Sequence, residues 1–135
     1  MIDINVSIRE SLQVYNQIDN VAEIFKTAEQ GKLEISELLD ISERWSTDTR
    51  MDELPKLYQT WIDHTSSPLM HVAYFNYANV IQINDNLAQA EALYRKALEH
   101  KSNFIQAHIN LGSCLVKLDR EDEAIKHWLS PPVMC

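Results

Sequence analysis

Glycine and proline are scarce, with two glycines and four prolines in 135 residues. That leaves little material for turns and favours long helices joined by short connections. Cysteine is almost absent too. Cys114 and Cys135 have neither the spacing of a metal site nor a disulfide framework, and Cys114 reads as a small apolar core residue. Basic charge is in deficit, with 12 Lys and Arg against 20 Asp and Glu, a formal net charge of -8. Such a surface repels phosphate backbones and anionic lipid, which argues against nucleic acid and membrane surfaces as partners. No apolar run approaches the roughly twenty residues of a membrane span, and MIDINVSIRE holds no basic stretch followed by an apolar one. A soluble, cytoplasmic chain is expected.

The inventory for chemistry is equally thin. Two isolated glycines cannot form a phosphate-binding loop, and no Ser, Cys or Asp stands in a nucleophile motif. The five histidines, His64, His71, His100, His108 and His127, never form the i, i+4 pair with a carboxylate that a helix-borne metal site uses. The expectation is no catalytic site, no metal and no cofactor. The acidic run Asp119, Glu121, Asp122 and Glu123 suits a solvated turn and helix N-terminus better than a metal loop.

What is present is periodicity. The apolar and charged shares, 45% and 24%, are those of a globular domain, and a repeat of 34 residues runs through the second half. Tyr74, Tyr77, Ala78 and Ile81 return as His108, Leu111, Gly112 and Leu115, each set at i, i+3, i+4, i+7, one face of a helix. Ala90 and Tyr94 return as Ala124 and Trp128, and Asn76 returns as Asn110. Each repeat therefore holds two helices, separated by Asn84-Asp85-Asn86 or Leu118-Asp119-Arg120, where Asn and Asp tolerate left-handed backbone.

Small and aromatic residues at these offsets resemble the tetratricopeptide repeat (TPR). Ala78, Gly112, Ala90 and Ala124 hold the small positions that let paired helices approach, and Tyr94 and Trp128 hold the aromatic one. The likeness spans residues 71–129. It departs from the family at Asp85 and Asp119, where Gly is usual, at Ser102, where Pro is usual, and at Pro131, which replaces a small residue and stops the last helix short. Upstream, Leu54, Leu57, Tyr58, Trp61 and Ile62 form one apolar stripe. Lys56, Thr60 and Asp63 occupy the small, aromatic and small positions there, so that repeat is degenerate, with a first helix expected through Leu38, Leu39, Ile41 and Trp45. Nearer the N-terminus, Ser7-Ile8-Arg9-Glu10 reads as a capping box opening a helix through Ile8, Leu12, Tyr15, Ile18, Ala22 and Phe25, stopped at Gly31.

The fold expected is all-α: one domain of about seven antiparallel helices stacked as a short, TPR-like, right-handed α-solenoid. Residues 1–68 supply N-terminal helices with one degenerate repeat, and residues 69–135 supply two TPR-type pairs, the last truncated. The resemblance implies a peptide- or protein-binding groove along the first helix of each pair: Val72, Phe75, Asn76, Asn79, Gln106, Ile109, Asn110 and Ser113. Asparagine there offers both donor and acceptor to an extended peptide backbone. Lys and Arg, which clamp a C-terminal carboxylate in other TPR modules, are replaced by Phe75, Ile109 and Gln106. The asparagines, Asn-Leu-Gly at 110–112 and the run from Leu57 to Asn76 are similar to the repeat region of bacterial SPINDLY-type proteins, relatives of the O-linked N-acetylglucosamine transferases. That likeness implies, as an alternative, a substrate-recognition segment of a glycosyltransferase whose catalytic domain lies outside this chain. An exposed C-terminal apolar face adds the expectation of a homodimer.

Overall fold

The computed structural model describes residues 20–47 and 49–129, and among them the chain is all-α, with seven α-helices, one 3-10 turn and no strand. The α-helices are α1 (Val21–Glu29), α2 (Ile35–Trp45), α3 (Leu54–His64), α4 (Met70–Ile83), α5 (Leu87–His100), α6 (Ile105–Lys117) and α7 (Glu121–Leu129). The 3-10 turn, Thr49–Glu53, leads into α3. Pro55 lies in the first turn of α3, where its missing N–H would have had no partner.

Helix α1 begins at Val21 because Asn20, in extended backbone, accepts the Glu23 N–H at 3.1 Å. A single helix from residue 8 through Phe25 is therefore broken at Asn20, which leaves the ladder to cap it; the capping box at Ser7–Glu10 lies outside the described residues. The stop at Gly31 is as the sequence implies. Gly31 has φ +68°, its N–H reaches the Ala28 carbonyl, and the next N–H, from Lys32, reaches Thr27. A Cβ on Gly31 would also lie 2.7 Å from the His64 carbonyl oxygen, so the end of α1 lies directly on the end of α3.

The N-terminal third is built from bulk. Trp45, Leu54, Leu57, Tyr58 and Trp61 are fully or almost fully buried. The Trp61 indole donates to the Leu33 carbonyl at 2.7 Å, which satisfies a polar group inside this core. The degenerate repeat is arranged differently from the expectation. Leu38, Ile41 and Trp45 of α2 are buried, but α3 packs chiefly on α4 and α1, with α2 making the lesser contact. The 3-10 turn between α2 and α3 replaces the short reversal that would fold them flat together.

From α4 onward the backbone repeats with the sequence. Asp85 and Asp119 have φ +64° and +60°. The turn bonds recur 34 residues apart: Asp85 N–H to Gln82 and Asp119 N–H to Val116, at 2.9 and 3.0 Å, then Asn86 N–H to Ile81 and Arg120 N–H to Leu115, at 3.3 and 2.8 Å. Aspartate thus closes the same left-handed helix stop that glycine closes at Gly31. These brief turns set α4 against α5 and α6 against α7, with α5 packed on α6. Ala78, Ala90, Ala97, Ala107 and Ala124 have no accessible surface, which is what close approach requires. Gly112 makes the tightest contact, since a Cβ there would overlap the Trp128 indole nitrogen at 2.2 Å. One continuous core runs from Ile24 to Ala124.

Candidate functional site

Charge is segregated between the helices of the two pairs. Apart from one histidine each, α4 carries no ionisable side chain of the acidic or basic kind and α6 carries only Lys117 at its end. The charges lie on α5 and α7. Glu91, Arg95, Arg120 and Glu123 form a cluster in which Arg120 bonds Glu91 at 2.6 Å, Arg95 bonds Glu91 at 2.9 Å and Arg95 approaches Glu123 at 3.7 Å. The Arg120 hydrogen bond is the main reason the Glu91 carboxyl is held below its ordinary value. The cluster ties α5 to the turn before α7, and Lys117 is left as the one Lys, Arg, Asp or Glu on α4 and α6.

The structure divides the eight residues expected in a groove. Gln106, Ile109 and Ser113 on α6 are exposed, Ile109 to 49%. Val72 is half-buried, and Phe75 is packed between Tyr94 and Phe104, with ring centroids 6.0 and 4.9 Å away. Asn76 donates one side-chain N–H to the Val72 carbonyl one turn back, at 2.9 Å, which leaves its amide oxygen and second N–H to offer. Asn110 donates to the Asn79 amide oxygen at 3.0 Å, and the same oxygen accepts the Tyr94 hydroxyl at 2.5 Å. Asn79 and Asn110 therefore join α4, α5 and α6. The Tyr94 hydroxyl also lies 2.8 Å from the Gln82 side chain. One hydroxyl proton cannot serve both acceptors, so the Gln82 amide must turn its NH2 towards Tyr94. Burial pushes the Tyr94 phenol up to about 12, and it stays neutral in this network.

Several residues on the same face lie beyond those picked out from the sequence. Asn79, Gln82 and Ile83 of α4 and Lys117 of α6 line a shallow depression of about 310 Å3. Ile83 is 67% exposed and Val116 36%. Continuing the three- and four-residue spacing from Asn79 and Ser113 by one more turn reaches all of them except Asn79 itself, and that spacing is the signal that finds them.

Behind this face, His108 and His127 meet Nδ1 to Nδ1 at 3.2 Å, and His108 Nε2 lies 2.8 Å from the Ser102 carbonyl. A carbonyl only accepts, so His108 carries its proton on Nε2 and His127 donates from Nδ1. His108 is buried at a packing position and its role is structural. Cys114 is likewise buried, and its thiol donates to the Leu87 carbonyl at 3.2 Å. Burial is the first reason that thiol is pushed above its ordinary value. Among the described residues no three His, Cys, Asp or Glu side chains converge as a metal site would need, and no helix is long and apolar enough to cross a membrane.

No protein-family profile matches the chain. A stretch of 48 residues is 44% identical to part of protein O-mannosyl-transferase Tmtc3 of Drosophila melanogaster. The chain resembles a short segment of a transferase. Another 57-residue alignment is 37% identical to protein O-mannosyl-transferase TMTC3 of Homo sapiens, and equally to that of Mus musculus. These alignments take in 35% and 42% of this chain but only 5% and 6% of the relatives' lengths.

Proposed function

We propose that the chain is a TPR-type interaction module, stacked as a short right-handed solenoid, that binds an extended peptide or protein segment on the face shared by α4 and α6. The observation that carries this reading is the pairing of turns that recur 34 residues apart with a face, uncharged but for Lys117, that leaves Ile83, Ile109 and Val116 in solvent. Exposed aliphatic side chains beside amide groups suit a backbone with apolar side chains better than they suit water. The same reading makes the module a cytoplasmic adaptor with protein partners and no chemistry of its own. The test is selection of peptides from a displayed random library on the purified chain, followed by Ile109→Asp. The variant should lose affinity for the selected peptides by about tenfold, as expected of a central interface residue, with an unchanged melting temperature. A library that yields nothing above background, or an Ile109→Asp variant that binds as well as the wild type, overturns the reading.

A second reading is that the module presents protein substrate to a glycosyltransferase. It is supported by the likeness to segments of two protein O-mannosyl-transferases and by the similarity to SPINDLY-type repeats. A transferase encoded in continuity with this segment or directly beside it, and co-purifying with it, favours that reading over a stand-alone adaptor.

A further inference from the structure

We infer that the α4–α6 face takes a peptide whose contacting side chains are uncharged, except for one aspartate or glutamate side chain set at the Lys117 end. The inference rests on the peptide-binding reading above and adds the chemistry of the ligand.

The chain as a whole is acidic, with 20 carboxylates against 12 basic side chains, so a surface drawn at random from it would carry acid. The exposed positions of this face, Gln106, Ile109, Ser113, Ile83 and Val116, carry none. Lys117 is the one charge on the strip, and among the described residues it makes no ion pair. It borders the depression shared with Asn79, Gln82 and Ile83. Asp119, the nearest acid along the chain, and Asp85, in the turn after α4, are held in left-handed backbone, and neither pairs with it. A carboxylate in the depression would meet an ammonium with no competing partner, beside the Asn79 and Gln82 amides and an aliphatic wall from Ile83. A terminal carboxylate presents the same two oxygens, and peptides with capped against free ends separate the two sources.

A duller account exists for Lys117: in the last turn of α6 a cation favours the helix dipole. That account predicts an effect on stability and none on ligand choice, which separates the two. The experiment is a positional-scanning library of short peptides, acetylated and amidated so that only side chains carry charge, bound to the full chain and to Lys117→Glu. Lys126→Glu on α7 changes the net charge equally and is the control. The wild type should prefer Asp or Glu at one position by roughly two- to fivefold, the scale of one exposed ion pair. The preference should fade at high salt. Lys117→Glu should turn it towards Lys or Arg, and Lys126→Glu should leave it alone.

Peptides that bind without an acidic preference, a preference untouched by Lys117→Glu, or one seen only with free C-termini would each overturn this inference while leaving the binding face standing. A library from which the wild type retains nothing overturns both.

Discussion

The two ends of the molecule reach a dry interior by opposite routes. Around α1–α3 the interior is filled by large side chains, Trp45, Trp61, Tyr58 and leucines, on helices that share unequal contact and are joined in part by a 3-10 turn. From α4 to α7 large side chains such as Tyr94 and Leu111 alternate with alanines and one glycine, which let the helices close on each other. Bulk fixes one particular arrangement. Small residues at regular offsets fix an arrangement that can be copied, since each pair offers the next the same surface. This is why Lys56, Thr60 and Asp63 are tolerated where Ala90, Tyr94 and Ala97 are required. In α3 those positions face outward or are only half-buried.

That contrast can be broken most severely at Trp61. Trp61→Ala removes a buried indole and its bond to Leu33, and should cost about 3–5 kcal/mol in denaturant unfolding. Next is the aligned pair of positions. Ala90→Leu should cost about 1–3 kcal/mol by overpacking, whereas Lys56→Leu, at the equivalent point of α3, should stay within about 0.5 kcal/mol as surface changes do. Equal costs at the two positions would show that the halves are packed alike. Gly112→Ala should displace the half-exposed Trp128 indole and be read as a red shift of tryptophan emission, at about 1 kcal/mol, the scale of a lost indole hydrogen bond. An unshifted spectrum would mean that the indole does not rest on Gly112.

The smallest effect is on pH. Burial, then the electrostatic influence of the neighbouring His108 and Arg95, holds the His127 imidazole below its ordinary value of 6.5, against the pull of Glu123 and Glu91. The folded state therefore prefers the neutral ring. Its contribution is present above pH 6.5 and is lost as pH falls from there through the folded value. His71 is shifted in the same direction, chiefly by burial. The melting temperature should decline below pH 6.5, and His127→Gln should flatten part of the decline. A profile identical in the variant would remove His127 from the account.

The sequence makes the repeat half legible because its determinants are local: small residues at i, i+3 and i+4, and a turn of Asn and Asp at a fixed distance. Asp85 and Asp119 even show why glycine is dispensable there. The N-terminal half is harder to read because its partners are chosen over distance. Nothing near Leu57 states that α1 will outcompete α2 for contact with α3, and the helical spacing through Ile18, Ala22 and Phe25 hides the break that Asn20 makes by capping. The asparagines show a different limit. Their exposure looks available from helix periodicity, yet Asn79 and Asn110 are joined across 31 residues, and Asn76 bends back to its own helix. Lys117 was within reach of the periodic argument, one turn beyond Ser113.

The sequential packing of α4 on α5, α5 on α6 and α6 on α7 has a kinetic consequence. Nearly every contact in this half joins residues one helix apart, so little chain must be closed into a loop before native contacts form. Low contact order of this kind gives folding on the microsecond-to-millisecond scale. Among the described residues, α7 leans chiefly on α6 and buries Ala124 alone. It should open first and most often, exchanging its amide hydrogens while α4 and α5 still hold theirs.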